Sequence, residues 1–363
     1  MGADSEWHNV VRVAWSTGGI VAVNEPGPEV RIQAGFCGPT VRTLCISDFK
    51  GLFASLREGG FPTIGATFAQ HREEFEGLRP PQFLAMSRAM DRWLVWDARQ
   101  VWRQIAVAAG RANHMRLLDV ASRVASGLAY SELRLSDLVN SYGVQLRGHF
   151  RAEKEKDYEA FNDLNSFAVY KGIHALFWEL AVLRDSLAEF VASFCFPAGE
   201  LRSMAGLRKF LLRNPPADEL AAEILQVTDP ASGGWIATFS AYRDLFTHLA
   251  PLQEAAGKAF AVQDLLKVPS GSPVPQIFYA LPSDVAELAR KRSKGTLFNS
   301  LEELAAASAR KHDRRCEPDA LEYLHGCIDD FAKLALKLVP RSPVAPRPIR
   351  IGPEDLVGPV QVK

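Results

Sequence analysis

The stretch AYRDLFTHLAP, residues 241–251, holds Arg243, Asp244 and His248 close together. An imidazole titrates near neutrality and can move a proton at physiological pH. A guanidinium keeps its charge and presents a fork of donors that fits phosphate oxygens two at a time. Side by side, the two suit proton transfer next to a phosphate. The spacing opposes this, because residues five apart in a regular helix are rotated by about 140°. From an unbroken helix Arg243 and His248 could not converge on one phosphate. Either the turn before Pro251 distorts, or each residue meets its complement from another element, such as the same helix of a second subunit.

A second group lies earlier in the chain. Lys171, His174, Trp178 and Asp185 are spaced three, four and seven apart, which places them on one face of a helix. That face adjoins an apolar seam of Leu176, Leu180, Leu183, Leu187, Phe190 and Phe194. It could line a polar groove beside Arg243, or stand as a solvated face around a half-buried tryptophan. His312, Cys316, His325 and Cys327 include metal-ligating types, but His325 and Cys327 point about 200° apart on a helix, a poor start for tetrahedral zinc. They read as ordinary helix residues, and neither a metal nor another cofactor is expected. There is no GxxxxGK[ST], no strand-to-helix GxGxxG, no GxSxG and no HExxH. Nucleotide-dependent phosphoryl transfer, dinucleotide redox chemistry, α/β-hydrolase chemistry and metalloprotease chemistry thereby lose their usual support.

The elements that must position these residues are mostly helical. Within residues 9–47, VVRVAW, IVAV, EVRIQAGF and VRTLCI are short β-branched runs separated by the turn signals STGG, NEPGP and CGPT. They predict three or four strands in a small β-rich N-terminal region, residues 1–82. From Phe83 the apolar residues recur at helical period, so 83–150 reads as a helical region, with a helix opened by Ser131. RAEKEKDYE is a charge run that reads as a solvated face or linker. A long helix from about Ser166 to Phe196 carries the apolar seam, and Pro197 stops it. Two shorter helices flank Pro215-Pro216, and Gly233-Gly234 precede the motif helix, which Pro251 ends. Its apolar stripe is Trp235, Phe239, Tyr242, Phe246 and Leu249. A loop at 269–275 and helices at about 283–312 and 318–339 complete a bundle over 151–340. The Pro-rich tail, 341–363, is expected to lie extended over the surface or to be disordered.

Composition leaves the partner open. Of 363 residues, 47% are hydrophobic and 23% charged, ordinary for a globular protein with a sizeable core. Lys plus Arg and Asp plus Glu both total 42, so net charge argues neither for nor against nucleic acid. Five cysteines with no CxxC pair, a start without a signal-peptide pattern, and apolar runs broken by Glu179 and Arg184 predict a cytoplasmic protein with reduced thiols and no membrane span.

An arginine, a polar residue, three variable residues and a histidine, as in Arg243, Asp244 and His248, resemble the signature of the HEPN superfamily (higher eukaryotes and prokaryotes nucleotide-binding domains). The resemblance covers about residues 155–265. It implies a mainly α fold, a HEPN-like helical bundle with additional helices, that commonly dimerises through the motif. It also implies a metal-independent endoribonuclease of toxin or defence type, with RNA as substrate and an antitoxin or other protein as possible partner. His248 would be the acid/base, Arg243 the stabiliser of the phosphorane and Asp244 an orienting residue. Asp185 matches the polar residue that such bundles place near the motif, with His174 and Lys171 supporting. Cleavage through the 2′-hydroxyl confines this chemistry to RNA. The other reading is a non-catalytic module that keeps the fold and dimerises or binds a partner.

Overall fold

The computed structural model describes residues 10–70, 82–89, 92–152, 159–196, 198–252, 261–269, 271–309 and 316–348. The β-branched runs at the start form four antiparallel strands, β1 (Val10–Ser16), β2 (Ile20–Asn24), β3 (Glu29–Ala34) and β4 (Thr40–Cys45). After a short helix, α1 (Leu52–Glu58), come β5 (Thr63–Gln70) and β6 (Gln82–Ala85). The six strands make one sheet in the order β4-β3-β2-β1-β5-β6, with β1 paired to β2 on one side and β5 on the other. In the β1–β2 link, Gly18 and Gly19 have φ of +64° and +84°. A Cβ on Gly19 would stand 2.7 Å from the Tyr142 carbonyl oxygen, so glycine lets this turn press on the helix behind it.

The helices follow. α2 (Leu94–Arg111), α3 (Met115–Ala152) and α4 (Leu164–Phe190) are the long ones, and α3 packs against both of the others. Asp163 starts α4 with a capping box shared with Ser166. α5 (Met204–Arg213), α6 (Glu219–Val227) and α7 (Trp235–Asp244) are short. A second sheet combines β7 (Glu159–Phe161), β8 (Ala261–Leu266) and β9 (Val274–Phe278) in that order. α8 (Val285–Ser293), α9 (Leu301–Ala309) and α10 (Ala320–Leu338) complete the described chain. One continuous buried apolar cluster runs from Ala14 in β1 to Leu338 in α10. Trp102 lies in its middle, with its indole N–H donating to the Ala335 carbonyl 3.0 Å away.

Asp319 ties three elements together. Buried at the start of α10, its carboxylate accepts from the Leu321 and Glu322 amides at 3.0 and 3.1 Å, capping the helix. It also accepts from the Tyr279 amide just past β9 at 2.8 Å and from the Tyr142 hydroxyl of α3 at 3.1 Å.

Several expectations change. The chain is a mixed α and β protein, not a mainly α HEPN-like bundle with a small β-rich start: its N-terminal region holds a six-stranded antiparallel sheet, and a second sheet lies among the later helices. Phe83 belongs to β6 and pairs with Thr67, and helix begins only at Leu94. Four residues of an apolar run carry no period that separates strand from helix. β8 and β9 escaped notice because Pro275 argues against a strand, yet β9 is an edge strand, where proline is tolerated. Ser131 opens no helix. It lies buried inside the unbroken α3, its hydroxyl without a hydrogen-bond partner. The helix expected at 283–312 is two, α8 and α9. Pro197, His312, most of the charge run and the end of the tail lie outside the described residues.

Because Asp319→Ala would remove a cap and strand two buried donors, we expect a loss of about 3 kcal/mol, with Asp319→Asn losing less. Urea unfolding of the three proteins measures this, and equal midpoints would refute the role given to Asp319.

Candidate functional site

The motif helix is held by aromatic packing. Phe239, Tyr242 and Phe246 all lie within 6.2 Å, ring centre to centre, of Phe177 on α4. On the other side Trp235 and Phe239 meet Phe331 of α10 edge-on, and Tyr242 meets Tyr323. The apolar stripe read from the sequence is therefore the buried side, and it turns Arg243 toward the surface.

After Asp244 the helix widens. Residues Leu245–Leu249 form a π turn, closed by the Ala250 amide donating to the Leu245 carbonyl at 2.7 Å. Ala250 itself is extended (φ −158°, ψ 138°), as sterics ask of a residue before proline. Arg292 of α8 donates through Nε to the Leu249 carbonyl at 2.6 Å, covering an acceptor the helix end leaves open. The extra residue in the turn brings residue 248 back over residue 243. The Arg243 Nη1 lies 3.4 Å from the His248 Nε2 and 3.1 Å from the Asp244 Oδ1. Of the two routes open in the sequence, the distorted turn is the one taken, within a single chain.

The arrangement has a definite polarity. A guanidinium can only donate, so a hydrogen bond between the two requires the His248 tautomer that keeps the lone pair on Nε2 and the proton on Nδ1. Asp244 and His248 are exposed, while Arg243 is partly covered and its buried Nε–H has no hydrogen-bond partner. An imidazole nitrogen, a guanidinium and a carboxylate thus meet at an exposed helix end.

The supporting residues diverge. His174 lies beside the turn, its ring 5.8 Å from Phe246, and its Nε2 accepts from the Leu252 amide at 3.3 Å. Burial pushes this imidazole down, so it stays neutral and pins the chain after Pro251 to α4. Lys171 is exposed one turn earlier, and Trp178 is exposed as well. Asp185 is drawn elsewhere: it pairs with Arg184 and accepts from the Met204 amide at the start of α5. It reaches α7 only through Arg184, whose Nη1 donates to Ser240 at 2.8 Å. In the possible metal group, Cys316 is exposed and Cys327 buried, its thiol pushed up to about 12 by burial. His325 faces the Met86 carbonyl at 2.6 Å. Among the described residues no three His, Cys, Asp or Glu side chains are placed to share a metal.

Sequence reading missed a cavity of about 300 Å³ between the first sheet and α10, lined among others by Thr17, Arg57, Ser87, Arg88, Glu322 and His325. Ser87, His325 and the buried Asp329 suggest a nucleophile with its base. The His325 Nε2, however, is committed to the Met86 carbonyl, and the Ser87 hydroxyl has no hydrogen-bond partner, so no base reaches the serine. The signal available in the sequence was Gly326, a glycine in the middle of an otherwise good helix.

Compared with known proteins, the chain matches no family model, no curated sequence and no solved structure. The site must be read from its own chemistry. No helix among the described residues is long and apolar enough to cross a membrane.

Burial pushes His325 down to about 4 from an ordinary 6.5. Between those values the unfolded chain holds more protons than the folded one, so stability rises with pH across that window and falls as pH drops through it, by about 3 kcal/mol. Urea midpoints at several pH values should show this slope flattened in His325→Gln. An unchanged slope would assign it to other groups.

Proposed function

We propose that the chain is a metal-independent endoribonuclease of toxin or defence type, working in the cytoplasm as a homodimer, with the Arg243–His248 turn as its catalytic centre. The observation that carries this reading is the π turn, which brings an arginine Nη1 and a histidine Nε2 to 3.4 Å at an exposed helix end. The resemblance of the motif to that of HEPN ribonucleases supports it as well. When a phosphodiester enters, Arg243 transfers its donors from His248 to the phosphate oxygens. The freed Nε2 of His248 takes the proton of the 2′-hydroxyl, whose oxygen attacks the adjacent phosphorus. The bond to the 5′-oxygen breaks, and the proton taken up by His248 returns to that leaving oxygen. The products are a 2′,3′-cyclic phosphate and a 5′-hydroxyl. Arg243 neutralises the charge that builds up on the phosphorane, and Asp244 holds the guanidinium in place.

A second reading, a non-catalytic module for dimerisation or for a protein partner such as an antitoxin, is favoured by one observation. The neighbouring helices α3 and α4 expose large apolar side chains, Tyr130 and Leu133 on the first and Trp178 and Val182 on the second.

The test is cleavage of a defined RNA by the purified chain in the presence of EDTA. Arg243→Ala and His248→Ala should each slow it by about 100-fold or more, and a 2′-deoxy residue at the scissile position should block it. Wild-type protein that cuts no RNA, or variants that cut as well as wild type, would turn the assignment to the second reading.

A further inference from the structure

The cavity beside α10 is built, not incidental. Ser87 is only 6% exposed, yet its hydroxyl has no hydrogen-bond partner in the protein. A buried hydroxyl left unpaired is costly, and this one stands at the cavity with its oxygen covered by the protein itself. Gly326 points the same way. A Cβ at this position would stand 2.4 Å from the Arg88 Nη1. Glycine inside a helix is less favourable than alanine, and here it lets the Arg88 guanidinium lie across bare backbone at the cavity wall.

We propose that this cavity binds a phosphorylated small molecule of mononucleotide size. Arg57 of α1 and Arg88 bring two guanidinium groups, and Thr17 a hydroxyl. Together they offer more donors than one carboxylate can accept, and they match the three oxygens of a phosphate. Arg57 has an interaction of its own within the protein, and with five N–H donors it can serve a ligand as well. Glu322 also has an interaction of its own within the protein, and the remaining lone pairs of a carboxylate can accept from ligand hydroxyl or amino groups. The remaining wall includes Phe53, Ile64 and Met86, an apolar surface suited to a ring. A volume of about 300 Å³ stands at the lower end of the range for small-molecule sites and suits one nucleotide, not a polymer. None of the lining residues belongs to the Arg243–His248 turn, so this site stands apart from the ribonuclease reading.

The probes are AMP, adenosine and inorganic phosphate, titrated calorimetrically into the full chain. AMP should bind one to one and at least about tenfold tighter than either adenosine or phosphate alone. Arg88→Met should weaken it about tenfold or more. Gly326→Ala should weaken it similarly while leaving thermal stability equal or higher, because alanine favours the helix and displaces only the tip of Arg88. Arg243→Ala and His248→Ala should leave it unchanged, which separates this site from the proposed catalytic one. No saturable AMP binding, AMP no tighter than adenosine or phosphate, or full affinity in a folded Arg88→Met protein would overturn the proposal.

Discussion

The carboxylate of Asp319 is the constraint on which the arrangement turns. It sits in the interior, where a charge is costly unless it is hydrogen-bonded on all sides, and it is met by two amides of α10, one amide beyond β9 and the hydroxyl of Tyr142. Burial, reinforced by the carboxylate itself, holds the Tyr142 hydroxyl well above its usual titration range, so it remains a donor. The network continues from Tyr279, whose hydroxyl donates to Gln145 at 2.6 Å, to Ser166 at the start of α4. One acidic group thereby sets α3, α4, β9 and α10 against each other.

Both sites inherit their walls from that arrangement, because α10 serves each of them. Tyr323 and Phe331 recur at eight residues and pack on the motif helix. Glu322 and His325 lie on another side of the same helix and line the cavity, and Gly326 beside them lies against Arg88. Fixing the rotation of α10 about its axis thus fixes the aromatic support of the Arg243–His248 turn and the path of Arg88 together. Burial of the polar groups is the cost of this economy: His325 stays neutral, and Ser87 lacks a partner inside the protein.

Much of the local structure was legible from residue types and spacing. The four β-branched runs became β1 to β4, and the seam from Leu176 to Phe190 and the stripe from Phe239 to Phe246 are buried. Strand pairing was less legible where strands are short. β6 has four residues, and its Ala85 amide is satisfied by Glu132, 47 positions away on α3. Asp185 shares a helix face with Lys171 and His174, but hydrogen bonds to Arg184 and Met204 decide where its charge is spent.

By itself the sequence determined the strand-like runs of the first four strands and the turns between them, the apolar faces of the long helix and the motif helix, and that an arginine and a histidine stand five apart before a proline. Those are properties of a few consecutive residues, set by sterics and by the match of apolar period to helix or sheet. Only the tertiary structure decided that the helix end widens, with Ala250 extended before Pro251, Arg292 on the Leu249 carbonyl and an aromatic layer behind. The same holds for the cavity, whose walls come from residues 17 to 325. The reason is physical: a side chain's neighbours in the interior are chosen by packing between distant segments, and no local period encodes them.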